Sequence, residues 1–273
     1  MSEEVITQGG KLVLTKPFTV FVSPQGSDET GLGTEDEPFA SVDYAVLWSN
    51  INLEFAEQQD LIIQVAPGTY DAVQIYGQSA REVHIVGNAE DPGSVKFRVL
   101  EEASEYALIV SYHSYVHLRG VDVSSVFVTN FSFLSMENCW LNPVQSGDNI
   151  LLGASTHSTV DFASGMVKQG RIGDDGFAGH CFDCEMQSLI QIGTVDYEAN
   201  VECDTFCDAT FGSTIYLTYN SPTKNNVKAR RAARAVTQSI VCDSEYLPTC
   251  PEPSLASSGG LIDDLDASEL TID

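Results

Sequence analysis

From Phe18 onward the chain alternates short apolar runs with turn residues. "DLIIQVAPGTYDAVQIYG", Asp60 to Gly77, sets two such runs on either side of Pro67-Gly68. Further runs follow: "REVHIVGN", "SVKFRVL", "YALIVSYHSYVHLRGVDV", "SSVFVTNFSFLSMENC", "NILLGAS", "HSTVDFASGMV", "SLIQIG" and "STIYLTYN". They are rich in Val, Ile, Phe, Tyr and Thr and end in Gly, Asn, Asp or Ser, which predicts strands. One stretch breaks the pattern. In "FASVDYAVLWSNINL" the apolar Val42, Ala45, Val46 and Ile51 fall at helical spacing, which predicts a helix near 39–51. Helical patterns are missing between the later strands, which argues against alternating βαβ units.

A loose repeat runs through the strands. "VHIVG" at Val83 and "VHLRG" at Val116 align as Val-His-aliphatic-x-Gly, 33 residues apart. Looser counterparts begin near Thr159, Leu189 and Thr214. Intervals of this size suit a solenoid, in which each coil covers the one before. The expected fold is all-β: a parallel solenoid of seven or eight coils, with the early helix covering its open end. The expected organisation is an arm at 1–17, the solenoid at 18–220, and a basic segment with an acidic tail at 221–273. The tail, "CPEPSLASSGGLIDDLDASELTID", has the composition of a disordered segment unless a neighbour holds it.

"FVSPQGSD", the Gly/acidic loop after it, "PFASVDYAV", "IIQVAPGTYDAVQI" and "VHIVGN" together resemble the opening segment of right-handed parallel β-helix proteins, the pectin-lyase-like superfamily. In that family a Pro-Phe-x-(Thr/Ser)-(Ile/Val) helix caps the β-helix and a Pro-Gly-x-Tyr turn opens the first coil. The resemblance covers about the first ninety residues of this chain and implies a right-handed single-stranded β-helix. Pectin methylesterase-like enzymes, surface carbohydrate-active proteins and bacteriophage tail-spike and fibre proteins share the pattern, so it implies a scaffold rather than one activity.

Charge narrows the partners. Thirty-nine acidic residues against 13 basic ones give a formal net charge of -26. Such a field repels nucleic acid and anionic membranes. No run is long enough to span a membrane. "MSEEVITQGGKLVL" lacks the basic and apolar regions of a secretory signal. The seven cysteines, all from Cys139 onward, are therefore expected to be reduced thiols.

Four places carry candidate chemistry. In "HSYVHLRG", a strand would put His113, Tyr115, His117 and Arg119 on one outward face, with His84 beside His117 if the repeat is in register. Such side chains suit sugar recognition or contact with another protein. In "GRIGDDGFAGHCF", Asp174-Asp175 and Gly179-His180 resemble galacturonase elements only poorly, and a turn is the better reading. Cys181, Cys184, Cys203 and Cys207 have spacing near that of a zinc ribbon; buried thiols stacked on successive coils, or a disulfide, account for it as well. "KNNVKARRAARAV" gathers Lys224, Lys228, Arg230, Arg231 and Arg234 on what reads as a short helix, suited to an acidic partner or to capping the far end.

Three functional readings follow. The first is a bacteriophage virion structural protein, a small fibre, spike or decoration subunit. It is expected to be made in the host cytoplasm, to assemble as a homo-oligomer (a trimer), and to contact other virion proteins and a host surface glycan. The second is a carbohydrate-active lyase, esterase or hydrolase of the same fold, using a groove around His84, His117 and Arg119. The third is a non-catalytic glycan-binding module. None calls for a cofactor; zinc at the cysteines or calcium at carboxylates are the metals to test.

Overall fold

The computed structural model describes residues 7–8, 10–56, 59–100, 104, 106–143, 150–173, 179–218, 226–242, 246–263 and 270–272. Two long parallel stacks of strands dominate it. The first runs in chain order from Phe18–Val22 through Leu61–Val65, Val83–Val86, Tyr115–Arg119, Phe133–Glu137, Thr159–Val167, Leu189–Tyr197, Thr214–Leu217 and Ile240–Cys242 to Leu261–Ile262. The second runs from Val73–Tyr76 through Leu108–Ser111, Val126–Val128, Ile150–Ala154, His180–Cys184, Val201–Thr210, Val227–Val236 and Ser254–Ser257 to Leu270–Ile272. Short strands between them, from Gly68–Tyr70 to Cys139–Leu141, form a third set that joins the first stack at Thr159–Val167. The chain passes from first stack to second and back, each pass lying on the last. This is the pattern of an all-β parallel solenoid.

Strand alternation builds the core. Leu61, Val83, Val116, Leu134, Val160 and Ile190 pair laterally in one buried row; Ile63, Ile85, Leu118, Met136, Phe162 and Ile192 form another. Each such side chain contributes about 1.5–3 kcal/mol by burial. The row between them, Ile62, His84, His117, Ser135, Asp161 and Gln191, faces outward.

The turn at Pro67-Gly68 is a tight corner. A side chain at Gly68 would meet Pro24 Cγ at 2.2 Å. The buried Tyr70 hydroxyl donates to the Ala66 carbonyl at 2.7 Å and locks the turn.

The corner leading back into the first stack is a regular device. Tyr112/His113, Asn130/Phe131, Thr156/His157, Met186/Gln187 and Thr237/Gln238 are pairs of residues with φ between 53° and 60°. This left-handed backbone costs free energy for residues other than glycine. Hydrogen bonds from one coil to the next hold it: His113 N–H to Asn130 O, Phe131 N–H to Thr156 O and His157 N–H to Met186 O, each 3.0 Å. A buried serine follows each pair. The N–H of Ser114, Ser132, Ser158 and Ser188 donates to the hydroxyl of Ser132, Ser158, Ser188 and Ser213 in turn, at 3.1–3.4 Å.

The helix α1 spans Val42–Asn52. The Ser41 hydroxyl caps it by accepting from Tyr44 N–H, and Asp28 in turn accepts from the Ser41 hydroxyl at 2.7 Å. Val42, Ala45, Val46 and Ser49 are buried, but Ile51 is exposed. The inward place expected of Ile51 goes to Leu53, already in extended backbone after the helix.

Two expectations about the far end are corrected. The basic segment is not a helix: Val227–Val236 is a strand, paired in parallel with Val201–Thr210 and Ser254–Ser257. The parallel pairing also does not stop at 220. It continues through Ile240–Cys242, Ser254–Ser257, Leu261–Ile262 and Leu270–Ile272, so parts of the acidic tail are further rungs. The first stack accordingly has ten strands among the described residues, more than seven or eight coils supply.

Candidate functional site

The Val-His repeat is in register. His84 pairs with His117 across adjacent parallel strands, and the imidazoles stack at 4.7 Å with 11° between planes. That spacing matches the separation of neighbouring strands, so the stack follows from the register. Glu82, just before Val83, reaches both rings: its Oε2 lies 3.1 Å from His117 Nε2 and 3.6 Å from His84 Nε2. Arg81 grips the Asp60 carboxylate with Nε at 3.0 Å and Nη2 at 3.1 Å. All three of Glu82, His84 and His117 are about two-thirds covered. Burial, then repulsion from His117, holds His84 below the usual imidazole range, although Asp60 and Glu82 pull the other way.

Toward later coils the same face becomes aromatic. Tyr115 pairs with Phe133, the rings stacked at 6.3 Å, and Phe133 lies 5.9 Å from the His117 ring. Arg119 is exposed on this face beside Glu137. His113 does not share it. It sits in the left-handed corner before Ser114, because the strand begins only at Tyr115. There it joins a second ladder: His113 stacks on Phe131 at 5.4 Å and Phe131 on His157 at 5.0 Å, planes within 11°. Tyr112 and Phe131 are at least half exposed. Trp140, by contrast, carries the Lys168 ammonium 4.3 Å over its ring, so that face is occupied.

The basic residues are not a free patch. Lys228 bonds Glu202, Arg230 bonds Asp204 and Glu252, Arg231 bonds Glu252, and Arg234 bonds Asp208. The strand register sets Lys228 and Arg234 opposite Glu202 and Asp208 of the previous rung, while Glu252, after the strand, meets Arg230 and Arg231 from the other side. Lys224 lies outside the described residues, as do Asp174 and Asp175.

The cysteines do not form a ligand cage. Cys207 pairs laterally with Phe182 and Cys203 with Ala229, so neither has a cysteine as lateral partner there, while the Cys181 thiol is buried near those of Cys203 and Cys207. Among the described residues no disulfide joins the cysteines, and none of them belongs to a ligand cluster. Burial pushes the Cys184 thiol up to about 12, and its Sγ lies 3.4 Å from the Thr214 carbonyl.

A second histidine cluster lies on the second stack. His180 Nδ1 is 3.1 Å from Asp208 Oδ2 and 3.4 Å from Asp183 Oδ2. Asp208 is fully buried and accepts from Arg234 Nε at 2.8 Å and Nη2 at 2.5 Å. Burial alone would lower the His180 pKa; the Asp183 hydrogen bond and the Asp208 and Asp183 charges outweigh it and raise the value.

Sequence reasoning missed Phe131, Phe133, His157, Glu82 and the Asp183/Asp208 pair. The serine that recurs before the first-stack strands from Tyr115 to Ile240, as in "NFSFLSM" and "THSTVDF", would have located the aromatic corner. Comparison with known proteins gives no further guide: no family model, no curated protein and no solved structure matches this chain.

Proposed function

We propose that the chain is a right-handed parallel β-helix of the pectin-lyase-like kind, closed at its N-terminal side by α1, and that it serves as a virion fibre, spike or decoration subunit, assembled as a trimer, whose outer face binds carbohydrate. The observation that carries the carbohydrate reading is the outward aromatic platform of Tyr115, Phe133 and His117. It is flanked by the Glu82 and Asp60 carboxylates and by the His113–Phe131–His157 ladder. Sugar rings present apolar faces and hydroxyl edges, so an aromatic face rimmed by carboxylates complements both. Register supports the same reading, because aromatic groups on successive rungs recur at the spacing between strands, as an extended ligand requires. The virion assignment rests on the resemblance of the opening segment.

A glycan-array screen of the full chain tests this. Binding to a defined glycan set is expected, lost in Tyr115→Ala and Phe133→Ala, with no change in glycan length on prolonged incubation. Release of sugar fragments would move the chain to the enzyme reading. Binding unaffected by both substitutions would remove the platform from the proposal.

A further inference from the structure

We propose that Glu82, His84 and His117 bind one divalent transition-metal ion. The inference stands on their geometry and does not depend on carbohydrate binding. Their ligand atoms all lie within 4.8 Å of one another. In a tetrahedral site with bonds of about 2.0–2.1 Å, ligand atoms sit about 3.3 Å apart. The two histidine-to-Glu82 separations, 3.1 and 3.6 Å, bracket that edge. Both Nε2 atoms lie close to the same carboxylate oxygen, and the Val83/Val116 and Ile85/Leu118 pairs fix their rungs in register from inside the core. The rings stand stacked at 4.7 Å with 11° between planes, so binding requires them to rotate until both in-plane lone pairs converge on the ion.

Two imidazole nitrogens and one carboxylate select zinc, cobalt, nickel, copper or ferrous iron over calcium and magnesium. Asp60 Oδ2, 3.8 Å from His84 Nε2, adds negative charge beside the site. Partial exposure gives the ion a route in, and three protein ligands leave a coordination position for solvent. The other His/carboxylate cluster has similar donors but a different occupant: the Arg234 guanidinium already takes both oxygens of Asp208.

The test is titration of the full-length chain with Co(II) and Zn(II) near neutral pH under reducing conditions, with His84→Ala, His117→Ala and Glu82→Gln alongside. The expected result is one ion per chain. Either histidine substitution should weaken binding on the order of 100-fold or more, beyond the roughly 10–100-fold of an outer-shell change. The Co(II) spectrum should lack a sulfur charge-transfer band. Pulsed EPR of Cu(II) on the unsubstituted chain supplies a reading that needs no variant, and two coordinated imidazoles are expected. No bound ion, unchanged affinity in His84→Ala, a thiolate spectrum, or fewer than two imidazoles would each overturn the assignment.

Discussion

The two histidine clusters use the same side chains and reach opposite electrostatic ends. On the first stack, His84 and His117 face Glu82 and Asp60 at the surface, and the nearby arginine, Arg81, spends its fork on Asp60. On the second stack, His180 faces Asp183 and Asp208 under cover, and Arg234 forks onto Asp208 itself. His84 is pushed toward the neutral imidazole and His180 toward the charged one. The difference teaches where charge balance is structural. At Asp208 the negative charge is fully buried and must be matched by protein cations. At Glu82 it is partly open, and an ion from solution can match it.

The sharpest way to break this comparison is to remove the two arginines. Arg234→Met leaves the buried Asp208 carboxylate with His180 as its one cationic partner, beside the like charges of Asp183 and Glu185. Breaking a buried pair costs about 3–5 kcal/mol, and partial exposure of Arg234 places the expected loss near the lower end. Urea unfolding measures it. Adding Asp208→Asn to Arg234→Met should recover part of the loss, because the orphaned charge is gone. A loss below about 1 kcal/mol would mean that Asp208 is not structurally dependent on Arg234.

Much of the scaffold was legible in the sequence, and the first cluster partly so. "VHIVG" and "VHLRG" revealed the His84–His117 register because valine precedes and a branched aliphatic residue follows both histidines. The second cluster was not legible. His180, Asp208 and Arg234 sit on three rungs whose flanking residues differ, so no repeat aligns them. The segment "KARRAARAV" misled for a different reason. Alanine and arginine are strong helix formers, yet Ala229, Ala233 and Ala235 fill a narrow interior while the basic residues meet carboxylates of the neighbouring rungs. Tertiary pairing overrode propensity there.

A next step asks whether the scaffold beneath the two regions is equivalent. Ser132 accepts from Ser114 N–H on the coil carrying His117, and Ser213 accepts from Ser188 N–H on the coil carrying Cys184. Ser132→Ala and Ser213→Ala each leave a buried N–H without a partner, at a cost of about 1–3 kcal/mol. Similar losses in thermal unfolding would assign the contrast between clusters to their side chains. A much larger loss at one corner would assign it to the backbone instead.

The pH dependence should then split by region. The raised folded pKa of His180 means its protonated form stabilises the fold. That contribution is complete below the unfolded value near 6.5 and fades as pH rises through the folded value. Asp183, Asp204, Asp208 and Glu185 face this imidazole against one guanidinium, Arg234. For His84 the lowered folded pKa reverses the sign: in metal-free protein, stability is lost as pH falls from about 6.5 through the folded value. Unfolding free energy against pH for the parent chain, His180→Gln and His84→Gln separates the two slopes. Slopes of the same sign would end the contrast.

The smallest expected effect is the most discriminating. Arg81 is half exposed, and its fork on Asp60 is a surface pair worth about 0–1 kcal/mol. Arg81→Ala should therefore barely move unfolding, unlike Arg234→Met. It also removes a guanidinium whose Nε lies 3.6 Å from Glu82 Oε1. A charge at that range in a water-like medium is worth about 1 kcal/mol, so affinity for Zn(II) should rise a few-fold. Stability unchanged and metal affinity raised would confirm that the first cluster is balanced from solution. Stability lost as at Arg234 would make the two clusters the same kind of structural pair, since a guanidinium that holds the fold together cannot be exchanged for an ion.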